Sequence, residues 1–168
     1  MSRNQAFTLV ELLIVVVILG ILAIIVLPKF SNASATARAS MLADDLRIIR
    51  TQLEVFKGQH NGIAAGYPGG MSGVTPTYEA FISHMTLSSN ARFDTADEHS
   101  AAFPFGPYLR EIPTNPVNAK NTVQVIADGE PFPTSGDDSD GWIYQPSTMR
   151  FVADCSGMDD QQRAYVNY

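Results

Sequence analysis

Residues 7–28 read FTLVELLIVVVILGILAIIVLP, and over 7–27 only Thr8 and Glu11 are polar. As a helix this stretch is about 30 Å long, the thickness of a bilayer's hydrocarbon core. A carboxylate there costs about 3 kcal/mol at mid-membrane and less near an end. Glu11 therefore needs an explanation. A cleaved secretory signal would use Arg3 as its basic flank and Ala33-Ser34-Ala35 as a small-x-small cut site. Its apolar run, 12–27, is at or beyond the usual signal core. A plain single-span anchor fits the length and leaves the Arg3 end in the cytoplasm. Neither reading uses Glu11.

The rest of the chain sets the frame. With 168 residues it is one domain, or one small domain plus an anchor, and the part outside the apolar run is rich in Gly, Pro, Ser, Asp and Asn. That remainder can bury a modest core. A formal net charge of −6 lacks the basic footprint that nucleic acid requires. The one cysteine, Cys155, excludes an internal disulfide and any multi-cysteine metal site. It reads as a buried thiol, with pairing between chains as the lesser alternative.

Beyond Pro28 the apolar residues keep helical spacing. Leu42, Leu46, Ile49, Leu53 and Phe56 form one stripe. Asp44 with Arg47, and Arg50 with Glu54, are spaced for surface ion pairs. Gly58 and Gly62 are stop signals. One helix is expected over 7–57, its first half (7–27) in lipid and its second packed on a globular head, 58–168. Pro28 removes a backbone donor and should kink or loosen that helix, with Gly20 a second soft point.

In the head, 61–74 is loop by composition. Thr75-Pro76 reads as an N-cap and first helical residue, with Tyr78, Phe81, Ile82 and Met85 on one face of a short helix. His84 falls at a polar position of that helix and reads as a surface residue. Residues 88–106 read as loop. A strand is expected over 122–126, and a hairpin around Gln145-Pro146-Ser147-Thr148. The class is α+β: a long N-terminal helix packed on a small C-terminal antiparallel sheet.

The residues Phe7-Thr8-Leu9-Val10-Glu11, followed by an apolar helix with Gly20 and then Pro28, resemble the N-terminus of type IV pilins and type II secretion pseudopilins. The resemblance implies a pilin-like fold. It implies that 1–6 is a leader cut off between Ala6 and Phe7 by a prepilin peptidase, with N-methylation of Phe7. It also makes Glu11 necessary. The carboxylate of one subunit can meet the Phe7 amine of the next, an attraction of about 4 kcal/mol at 4 Å before desolvation is subtracted. Glu11, Gly20 and Pro28 are then assembly residues, and Gly20 to Pro28 is a segment that can lose helicity in the filament. Ala6 departs from the family's usual glycine, which implies slower cleavage.

A looser resemblance, to the major pseudopilin of type II secretion, covers the head. It rests on Tyr108, Leu109 and Pro113, on Asn115-Pro116, and on the Trp142-Ile143-Tyr144 hairpin. Type IV pilins usually carry a C-terminal disulfide loop, which Cys155 alone cannot form. The implied partners are copies of the chain itself, minor pseudopilins, an inner-membrane assembly platform and the peptidase. The implied location is the inner membrane with the head in the periplasm. A surface pilus subunit for adhesion or motility is the alternative within the family.

Between 128 and 160 there are eight acidic residues and one basic residue, Arg150. The densest part, Gly136-Asp137-Asp138-Ser139-Asp140-Gly141, offers hard oxygen ligands of the kind calcium takes. It is not an EF-hand, because the first and twelfth ligand positions would be Gly136 and Ser147. Major pseudopilins bind calcium in a C-terminal loop, so the resemblance adds Asp137, Asp138 and Asp140 as candidate ligands; the alternative is a solvated acidic loop. No cofactor is required. His60, His84 and His99 lack metal-ligand spacing. There is no G-x-S-x-G elbow or phosphate-cradling glycine loop. A membrane-anchored periplasmic enzyme is the alternative from a different class.

Overall fold

The structure, a computed structural model, describes residues 8–168, without the side chains of 25–33. The leader, Ala6 and Phe7 lie outside the described residues. The chain divides into two compact units, Met1–Ala37 and Arg38–Tyr168.

One helix, α1 (Leu9–Gln59), begins in the first unit and ends in the second. Pro28 falls inside this single element, whereas the sequence predicted a kink or loosening there; the side chain of Pro28 is not among those described. Side chains 9–24 are apolar apart from Glu11 and are exposed all round the helix. Among the described residues no helix is long and apolar enough to cross a membrane. The side chains of the expected span's last three residues, 25–27, are outside that set.

In the second unit the predicted stripe is buried. Leu42, Leu46, Ile49, Leu53 and Phe56 are joined by Ala39, in one core with Phe81, Met85, Trp142, Tyr144 and Phe151. Steps of three and four residues keep these side chains on one side of a 3.6-residue turn. The helix ends at Asn61-Gly62, both at positive φ, with the Gly62 N–H bonded to Lys57 O at 2.9 Å. This bond closes the last carbonyls as in a Schellman turn. Gly58 lies within the helix; only the second of the two stop signals acts.

Of the two predicted ion pairs, Arg47–Asp44 forms at 3.3 Å on the exposed face. Arg50 does something else. Its Nε and Nη2 donate to Phe151 O (2.9 and 2.7 Å), and Nη2 also donates to Tyr168 O (2.7 Å). A half-buried guanidinium gains more from fixed carbonyls than from an exposed carboxylate one turn away.

Helix α2 (Tyr78–Thr86) starts two residues later than Thr75-Pro76 predicted. Its N-cap is Thr77, whose hydroxyl accepts the Ala80 N–H at 3.1 Å while its own N–H donates to Gly66 O. That bond ties the cap to the preceding loop, so the helix begins there. Phe81 and Met85 are buried and Tyr78 is exposed.

Strands β1 (Ser88–Ser89) and β2 (Thr95–Ala96) pair antiparallel inside the segment expected to be loop. Strand β3 (Val123–Val125) sits beside β4 (Trp142–Gln145), and β4 beside β5 (Arg150–Ala153). The β4–β5 hairpin is antiparallel, as predicted, with a 3₁₀ turn at Pro146–Thr148 and Met149 at φ 56°. The β3–β4 pair is parallel, so the sheet is mixed rather than antiparallel. A parallel return needs a crossover of about a dozen residues or more, and 126–141 supplies it.

Candidate functional site

The N-terminus of α1 is built from two residues. Thr8 precedes the first helical residue, and its Oγ1 accepts the Glu11 N–H at 3.2 Å. Glu11 Oε2 accepts in return from the Thr8 N–H (2.9 Å) and the Thr8 hydroxyl (2.7 Å). This is a reciprocal capping box. Both Thr8 donors converge on one carboxylate oxygen, at the helix end where the peptide dipoles favour negative charge. The T-x-x-E spacing that encodes it stands in the sequence at 8–11, and reading Glu11 only as a partner for another subunit missed it. A Cβ on Gly20 would meet nothing within 4 Å.

The acidic segment is organised around Asp154, which the sequence reading did not single out. Its buried carboxylate accepts the backbone N–H of Asp137 (2.8 Å), the backbone N–H of Asp140 (2.8 Å) and the Ser139 hydroxyl (3.1 Å). Asp137 Oδ1 accepts the Ser139 N–H at 2.9 Å, and both Asp138 carboxylate oxygens accept from Ser156. The carbonyls of 138–141 are also taken. Asn118 Nδ2 donates to Asp140 O and Asp154 O, and Asn115 Nδ2 donates to Gly141 O. Lys120 Nζ donates to Asp138 O (2.6 Å) and Ser139 O (2.9 Å). Both ends of the loop press on neighbouring backbone. A Cβ on Gly136 would lie 2.3 Å from Cys155 N, and one on Gly141 would lie 2.3 Å from Lys120 O. Among the described residues no group of three or more His, Cys, Asp or Glu is arranged to hold a metal ion. Asp137, Asp138 and Asp140 thus sit in one loop without converging on one point.

Cys155 is buried, as predicted, and receives Asn115 Nδ2 at 3.2 Å. Burial pushes its thiol up to about 11, so it is an inert thiol at neutral pH.

The histidines correct the surface reading. His84 is 3 % exposed and His60 fully buried. His60 stacks on Phe56 with ring centroids 3.9 Å apart, and Phe93, Phe105 and Tyr108 close round it. Its Nδ1–H donates to Phe56 O (2.9 Å), and Nε2 takes the Ser89 hydroxyl (3.2 Å). His84 Nδ1 accepts the Gly66 N–H at 3.2 Å. Both rings are structural, and each is bonded as a neutral imidazole.

An all-round apolar helix capped by a glutamate, followed along the chain by a small α+β head, defines a pilin-like protein. Residues 1–27 match the prokaryotic N-terminal methylation motif. The type II secretion system core protein G of Klebsiella pneumoniae is 28 % identical over 116 residues, covering 69 % of this chain and 71 % of the relative. That of Pseudomonas aeruginosa is 29 % identical over 135 residues, covering 79 % and 82 %. The type IV major fimbrial protein FimA of Dichelobacter nodosus is 40 % identical over 63 residues, covering 36 % and 40 %. No solved structure matches the chain. The chain is thus similar to type II secretion pseudopilins over most of its length and to type IV pilins over about a third of it.

Proposed function

We propose that this chain is the structural subunit of a type II secretion pseudopilus. The observation that carries the reading is the apolar surface of 9–24, exposed all round one helix and headed by a capped glutamate. A helix apolar on every side is stable only inside protein or lipid. Two environments answer this in turn: the inner membrane before assembly, and the helices of identical subunits after it. The work is mechanical, and the head stays on the periplasmic side. The prepilin peptidase, minor pseudopilins and an inner-membrane platform are the partners this role requires.

A surface pilus subunit is the second reading, favoured by the similarity to FimA. That similarity covers about a third of the chain, whereas the core protein G relatives align through most of it. The single cysteine also supports the pseudopilus.

Mass spectrometry of the chain purified from membranes tests the processing step. The expected mature protein begins at N-methylated Phe7. A chain beginning at Thr36 would contradict the proposal, as would a chain that keeps residues 1–6 in the presence of active peptidase. The same spectra report the uncut fraction, which is expected to fall in Ala6→Gly.

A further inference from the structure

We propose that the Lys120 ammonium is the resident cation of the 136–141 loop, so that the head folds and holds this loop without calcium. Calcium takes about six to eight oxygens. Many of the oxygens around the loop already have protein donors. Both oxygens of Asp154 and both of Asp138 accept from main-chain or serine donors, and the carbonyls of Asp140 and Gly141 accept from Asn118 and Asn115. The two adjacent carbonyls of Asp138 and Ser139, a pair suited to a hard cation, converge on Lys120 Nζ. An ammonium donating to two carbonyls supplies the positive charge that an acidic loop needs, and it is tethered to the chain rather than drawn from solution. Asp138 lies at φ 61°, a left-handed conformation that turns its carbonyl, and Lys120 bonds that carbonyl. Lys120 is itself fixed. Its N–H donates to Asn118 Oδ1, its carbonyl accepts the Asn115 N–H, and Gly141 packs directly against that carbonyl. The residues present therefore do not fit the calcium site that the acidic sequence and its family resemblance implied. This inference is independent of whether the filament is a pseudopilus or a pilus.

The test uses the full chain in detergent micelles. Thermal unfolding and amide exchange are measured with a chelator and with millimolar calcium, for wild type and for Lys120→Met. The Met side chain keeps an unbranched apolar stem, one atom shorter, and removes the charge and the donor. In wild type the expected melting temperature is the same with chelator and with calcium. In Lys120→Met it falls by about 2–4 °C, and exchange quickens about tenfold at the Ser139 and Asp140 amides. A wild-type melting temperature raised by calcium would overturn the proposal, as would a Lys120→Met chain whose melting temperature and loop exchange match wild type.

Discussion

His84 accepts the Gly66 N–H through Nδ1, and His60 gives its Nδ1 proton to Phe56 O, both within a nest of aromatic rings. Burial pushes His84 down to about 4, with the neighbouring His60 adding to the shift, and burial also lowers His60. Both groups take up a proton more readily in the unfolded chain, where the ordinary value is about 6.5. Their contribution to stability is therefore complete above pH 6.5 and is lost as pH falls from there toward 4. For His84 this is on the order of 3 kcal/mol. Melting temperatures recorded from pH 7.5 to 4.5 should fall steadily below 6.5, and His84→Gln should flatten that slope. An unchanged slope in His84→Gln would remove His84 from the account. The sequence hid this role because a histidine at a polar position of a short helix looks exposed. What buries His84 is Gly66 and Phe93, brought in from two separate loops, together with Phe56 of α1. Glu11 stood out, by contrast, because its context is local: one acid in an apolar run, with Thr8 three residues before it.

Helix α1 could be read from spacing alone, since its stripe recurs at steps of three and four and its stop lies at Gly62. Helix α2 was found but misplaced, because Thr75 and Thr77 offer equally good caps in sequence; the fold distinguishes them, since Thr77 Oγ1 accepts the Ala80 N–H and Thr77 N–H donates to Gly66 O. Thr77→Ala should cost about 1 kcal/mol, while Thr75→Ala leaves stability unchanged within about 0.5 kcal/mol. Chemical denaturation of the two variants decides which threonine is the cap, and equal losses would deny Thr77 that role. The parallel β3–β4 pair was not legible. Strand direction depends on how 126–141 returns, and that segment carries no helical or strand periodicity. The hairpin β4–β5 was legible because its turn sits between two short β-rich runs. Lys120 escaped notice for the same reason as the parallel pair. It lies 18 residues from Asp138, and only the fold joins them.

At the scale of the whole molecule, two kinds of surface share one chain. The head unit, Arg38–Tyr168, buries its stripe and spreads acidic groups over its loops. The helix of the first unit buries none of its described apolar side chains within the chain. In the proposed role, hydrophobic burial there is deferred to lipid or to other subunits, and the Glu11 charge selects the neighbour that fits. The capping box complicates the obvious mutant, because Glu11→Ala removes both a charge and a helix cap. Glu11→Gln separates them, since glutamine at this position still accepts the Thr8 N–H but carries no charge. The decisive measurement is electron microscopy of filaments from cells making Glu11→Gln with the peptidase and assembly components present. The account predicts a processed, membrane-inserted subunit with a capped helix and no filaments. Filaments in normal number and length would contradict it, and Glu11 would then be only a helix cap.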